Sequence, residues 1–161
     1  METYWLRECQ RANDVKLFES VWGFLKHVTN RKAANFKYKL IHHILPCQKM
    51  LKRWEISDTD TCVLCNVIED YKHLFLHCQR VSNVLNELNT HALLKFKMHV
   101  NFKTLNTLIF GYKIRDQHYF KVNEWVNTMY YNIFCHYCKG TRNIIDERQR
   151  AIFFDFNGWV T

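Results

Sequence analysis

The sequence predicts a mainly α fold, a small helical bundle interrupted by one cysteine-rich turn. Glycine and proline together number five (4 Gly and 1 Pro) in 161 residues, too few for the many tight turns of a β-sandwich. Apolar side chains recur at helical spacing in several stretches, with no sustained alternation of period two. Apolar residues make up 48% of the chain and aromatics 16%, enough to bury a core and to exclude a disordered chain. At this length a single domain over 1–161 is expected, with its helical part at about 15–140.

The elements follow in order. Val15, Phe18, Val21, Trp22, Leu25 and Val28 share one helical stripe, and Ala33, Phe36, Leu40, Ile41 and Ile44 share the next. Pro46 has no amide hydrogen and disfavours helical geometry at Leu45, so the second helix should stop there. A short helical turn around Met50 to Trp54 leads into SDTDTC, residues 57–62, whose small polar side chains mark a loop. Leu74, Phe75, Cys78, Val81, Leu85 and Leu88 form another stripe, and Phe102, Leu105, Leu108, Ile109 and Tyr112 a shorter one. Tyr119, Val122, Val126, Met129, Ile133 and Tyr137 predict a long helix ending near Gly140, after which IFFDFNGWV is expected to dock on the bundle.

No apolar run approaches the ~18 to 20 residues of a membrane span. METYWLRECQ also lacks the apolar core of a signal peptide. The expectation is a soluble intracellular protein, nuclear or cytoplasmic, with no membrane partner. Seven cysteines in a reducing compartment are then free or metal-bound rather than a disulfide framework.

Charge is unevenly placed. From Ser20 to Trp54 there are Lys26, Arg31, Lys32, Lys37, Lys39, Lys49, Lys52 and Arg53 and no Asp or Glu, so this block alone carries the net +8 of the whole chain. Such a block attracts phosphate backbones, and binding strengthens as counterions are released. A solvated helix face on a basic protein is the plainer explanation. Tyr38, Trp54 and Phe36 lie among these cations as candidate surfaces for stacking bases, although Phe36 sits on the apolar stripe and Trp54 could equally plug the core.

The chemistry concentrates in TCVLCNVIEDYKHLFLHC, residues 61–78. Cys62, Cys65, His73 and Cys78 read C-x2-C-x7-H-x4-C, a donor set that suits tetrahedral Zn2+ and leaves no position for water, hence a structural role. Three thiolates and one imidazole would leave one negative charge, which Lys72 and Arg80 could offset. One geometric conflict stands: residues five apart on an α-helix are about 140° apart, so His73 and Cys78 would not share a face. Either the helix breaks before Cys78, or His77 is the ligand. Cys135 and Cys138 repeat the C-x2-C spacing inside a helical stripe and are expected to pack in the core. Cys9 and Cys47 read as packing or surface thiols, and His42 and His43 as partly buried or backbone-facing imidazoles.

The chain has no Gly-rich phosphate loop, G-x-S-x-G turn or H-E-x-x-H helix, and no enzymatic activity is expected. FKYKLIHHILPCQKMLKRWEISDTDTCVLCNVIEDYKHLFLHCQRVSNVLNEL, residues 36–88, resembles the zinc-binding CCHC region that follows the polymerase core in non-LTR (LINE-type) retrotransposon reverse transcriptases. The match runs through Cys62, Cys65, Glu69, His73, Leu74, Phe75 and Cys78, which favours Cys78 over His77. LNTLIFGY and NEWVNTMYYNIFCHYCKG are similar to the helices that follow, so that the likeness spans roughly 15–140.

The resemblance implies an accessory region holding RNA or single-stranded DNA near a reverse transcriptase core. No Asp-Asp pair and no Pro-Asp motif occurs, so neither that family's polymerase nor its nuclease is implied. The chain reads as a remnant, a partial gene or a domesticated fragment. A protein-interaction scaffold and a fragment without a function of its own are the alternatives.

Overall fold

A computed structural model describes residues 1–138; the expected helix end at Gly140 and the IFFDFNGWV segment lie outside the described residues. The α-helices are α1 (Glu2–Glu8), α2 (Leu17–His27), α3 (Arg31–Ile41), α4 (Gln48–Arg53), α5 (Gln79–Phe96), α6 (Leu105–Phe110) and α7 (Phe120–Cys138). A π-helical turn covers His73–His77 and a 3-10 turn Gln117–Tyr119. Among the described residues the one β feature is an isolated antiparallel bridge between Thr61 and Ile68, and no helix is long and apolar enough to cross a membrane. The mainly α fold is as the sequence indicates.

The chain divides into two compact units, Met1–Leu45 with Thr104–Tyr131, and Pro46–Lys103 with the chain from Asn132. In the first, Trp5, Phe18, Leu40, Ile41, Trp125 and Tyr130 are almost wholly buried. The Trp5 indole N–H donates to the Ile41 carbonyl at 2.9 Å, which satisfies the polar end of a buried ring. In the second, Leu74, Phe75, Val81, Leu85, Leu88 and Phe102 form the buried set.

One helix boundary differs from the sequence reading because of a left-handed residue. Helix α3 ends at Ile41 rather than running to Pro46: His43 is left-handed (φ 56°), its N–H bonds to Leu40 O at 3.2 Å and that of Ile44 to Lys39 O at 2.9 Å. This is a Schellman stop with histidine where glycine is usual. Gln10 and Glu55 end α1 and α4 in the same way. A non-glycine residue in this conformation costs roughly 1–2 kcal/mol, and nothing in the local sequence announces it. Ile44 is consequently exposed, as is Val15, which precedes α2. The glycine that does mark a helix end is Gly111, at φ 72° after α6, where an added Cβ would lie 2.3 Å from Asn123 Oδ1. Asn123 holds that turn reciprocally, accepting from Tyr112 N at 2.7 Å and donating to Tyr112 O at 2.8 Å.

Lys37, expected on the basic face, is instead buried at 3% exposure. Its ammonium donates to the carbonyls of Leu108 and Ile109, the unsatisfied C-terminal end of α6. Burial pushes its pKa from 10.5 down to about 7, with the nearby Cys9 acting in the opposite direction. Below pH 7 folded and unfolded chains both hold the proton and the full cost of burial is present. Between pH 7 and the unfolded value the unfolded chain binds more protons, so stability rises with pH. Urea unfolding at pH 6.5 and 9.5 should show the wild type gaining roughly 2–3 kcal/mol relative to Lys37→Met. Equal pH dependence in the two proteins would refute a titrating buried ammonium.

Candidate metal centre

The turn that carries the first two cysteines is shaped by backbone bonds. Cys62 N–H donates to Val67 O at 2.8 Å, Asn66 N–H to Cys62 O at 2.9 Å, and Glu69 N–H to Asp60 O at 2.8 Å. Asn66 takes the left-handed conformation (φ 56°) that Asn tolerates better than most residues, and so reverses the chain directly after Cys65.

The π-helical turn resolves the spacing conflict. Cys78 N–H donates to His73 O at 2.7 Å, an i to i+5 bond that widens the turn by one residue. Cys78 itself is extended (φ −63°, ψ 134°) and caps α5, so the helix does break there. His73 is buried, whereas His77 is exposed. One ligand atom from each of Cys62, Cys65, His73 and Cys78 lies within 4.8 Å of the others.

This arrangement fits a tetrahedral metal. Cys62 Sγ is 3.8 Å and Cys65 Sγ 3.9 Å from Cys78 Sγ. These separations are too long for a disulfide, whose sulfurs are about 2.05 Å apart. With Zn–S bonds of about 2.3 Å, the edge of a zinc tetrahedron is about 3.8 Å. His73 Nε2 is buried with no hydrogen-bond partner, a costly state that a cation relieves. Burial lowers the His73 pKa, which keeps the imidazole neutral and able to bind metal. Burial pushes the Cys78 thiol up to about 12, against the Arg80 amide and guanidinium, so metal uptake must displace its proton.

Two buried charged residues support the centre. Glu69 Oε1 accepts from Gln48 N at 3.0 Å, at the start of α4, and from the Tyr137 hydroxyl at 2.7 Å. Asp70 Oδ1 accepts from His73 N at 2.8 Å and so holds the start of the π turn. Arg80 is 4% exposed, and its guanidinium lies over the Tyr137 ring, 5.1 Å from the centroid. Its Nη2 is buried without a hydrogen-bond partner, and no carboxylate pairs with it among the described residues. A buried cation needs an anion, and three thiolates around Zn2+ supply a net charge of −1. Lys72, the other candidate for this role, is half-buried.

Of the basic block, Lys26, Arg31, Lys32, Lys39, Lys49, Lys52 and Arg53 are exposed, and Lys37 is not. Lys37 is therefore withdrawn as a nucleic-acid contact, because its ammonium is enclosed by the α6 carbonyls. Arg31 Nη1 donates to Leu25 O and Val28 O, which fixes its guanidinium at the end of α2. Lys52 lies 3.8 Å from Asp60, an exposed pair of small worth. Among the aromatic candidates Phe36 is buried, while Tyr38 and Trp54 are exposed, so Trp54 does not plug the core. Cys138 is exposed rather than packed, with Cys135 half-buried one turn before it. Cys9 and Cys47 are buried packing thiols. His42 and His43 are partly buried against aromatic rings: His43 stacks on Trp5 at 4.8 Å and 7°, and His42 on Trp22 at 5.8 Å and 21°.

A helical chain with a compact Cys3His cluster is a zinc-binding protein. The model of a family described as zinc-binding in reverse transcriptase matches residues 1–84, more than half of the chain, and the protein belongs to that family. The metal is accordingly zinc, and the family is that of an accessory zinc-binding domain rather than a catalytic one. No curated protein and no solved structure matches the chain.

Proposed function

We propose that this protein is a zinc-stabilised module that binds RNA or single-stranded DNA, like the accessory region of a non-LTR reverse transcriptase, and has neither polymerase nor nuclease activity. The observation that carries this reading is the exposure of seven cations in a stretch of sequence free of carboxylates. Zinc keeps the second unit ordered so that Lys49, Lys52 and Arg53 on α4 are presented from a fixed helix, anchored at its start by Glu69.

The test is binding of the zinc-loaded protein to a labelled single-stranded RNA across a salt series, with a matched DNA strand alongside. Affinity should fall steeply with salt, and neutralising Lys39, Lys52 and Arg53 together should flatten the log–log slope by about 2, at about 0.7 per phosphate contact. No binding even at low salt would overturn the proposal.

A second reading has an observation of its own. Trp54, Ile56, Val63, Val67 and Ile68, around the knuckle, are each exposed by 39% or more. Large exposed apolar side chains in one short segment suit contact with another protein, such as a reverse transcriptase core.

A further inference from the structure

We infer that the groove between α2 and α3 is a stacking platform for the unpaired bases of a single strand; this deepens, and rests on, the nucleic-acid reading above. The groove has a volume of about 430 Å³. Its floor includes the apolar Leu25 and Ala34, its polar lining Asn35, Lys26 and Arg31, and its ring faces come from Trp22 and Tyr38. His42 extends the aromatic surface: Tyr38 and His42 centroids are 4.2 Å apart, and Trp22 and His42 5.8 Å.

Three features distinguish this surface from ordinary packing. First, Tyr38 is 48% exposed although it lies in a cluster of three rings, so about half of a large aromatic residue stays open to water. Second, the cluster is held in advance. The Trp22 indole N–H donates to Glu2 Oε1 at 2.7 Å, and the Arg31 guanidinium is tied to the carbonyls of Leu25 and Val28 at the end of α2, so little side-chain freedom is lost when a base arrives. Third, the lining carries two cations and no carboxylate, with Lys39 exposed beside Tyr38 on α3.

Fixed cations beside a ring face are what a strand needs for backbone and base to be held together, and Asn35 can pair with a base edge. A duplex hides its base faces and could use only the cations. Trp54 and Phe36 play no part, the first lying just after α4 and the second buried.

The experiment compares the full zinc-loaded chain and its Tyr38→Ala and Tyr38→Phe variants on three equal-length probes: a base-bearing single strand, an abasic strand with the same phosphates, and a duplex. Wild type should prefer the base-bearing strand to the abasic one by about tenfold or more. Tyr38→Ala should lose most of that preference with an unchanged salt slope, whereas Tyr38→Phe, which keeps the ring, should retain it. Equal wild-type affinity for base-bearing and abasic strands, or a Tyr38→Ala variant as discriminating as wild type, would overturn stacking while leaving charge-driven binding intact. Absence of binding to all three probes would instead overturn the nucleic-acid reading itself.

Discussion

Cys62→Ser or Cys65→Ser should reduce bound zinc from one equivalent to near zero and abolish most of the ordered structure of the Pro46–Lys103 segment. The expected loss is large because the metal is bound to the folded state only. Structural zinc in small domains contributes an apparent binding energy of about 10–16 kcal/mol near neutral pH, as large as the whole stability of a typical domain. Without the ion the segment retains three cysteines around an imidazole whose Nε2 has no partner, and an arginine buried without an anion. Metal analysis, far-UV circular dichroism and thermal unfolding provide the readout. Unchanged zinc content and unfolding temperature after both replacements would eliminate the centre. Lowering the pH should release the metal as well, because the buried Cys78 thiol competes for its proton.

Arg80→Met should be the next most damaging change, costing about 3–5 kcal/mol in the zinc-loaded protein, as expected when one partner of a buried charge pair is removed. Its side chain lies over Tyr137 and its charge acts on the neighbouring Cys78 thiol, so it would offset the charge of a monoanionic zinc–thiolate core. Lost packing alone would give a similar instability, so the informative version is a cycle with Cys65→His. That replacement makes the centre Cys2His2 and electrically neutral. If Arg80 acts through charge, Arg80→Met should cost markedly less in the Cys65→His background, with a coupling of about 1–3 kcal/mol. Chelator competition for zinc should show the same pattern. Equal costs in both backgrounds would mean that Arg80 is only a packing residue.

How much of this was legible in advance depended on the kind of signal. Ligand spacing survives any helix boundary, so Cys62, Cys65 and His73 could be read directly, with Cys78 favoured over His77 but not decided, and helical stripes such as Val81, Leu85 and Leu88 marked the core. The π turn was visible only as a conflict, since C-x2-C-x7-H-x4-C is inconsistent with an unbroken α-helix and no residue type encodes the wider turn. The end of α3 was misplaced because His43 adopts the conformation normally reserved for glycine. Helix α1 is too short to show periodicity, although its Trp5 is 1% exposed. Lys37 and Tyr38 are adjacent in sequence and both looked like surface residues. Only the position of the α6 carbonyls reveals that one is enclosed and the other open to water.

The order of segments within the two units carries a consequence for how the chain acquires its shape. All four zinc ligands fall within residues 62–78, so the knuckle closes a short loop at low entropic cost and can form as soon as that stretch exists. The first unit is discontinuous, pairing Met1–Leu45 with Thr104–Tyr131 across the whole of Pro46–Lys103. During synthesis Phe18, which packs against Phe110 of α6, therefore stays unprotected until that helix emerges. By then the metal turn can already have gathered the intervening segment, shortening the effective distance the late helices must bridge. Zinc on this account acts before the first unit is complete, as well as on the stability of the product.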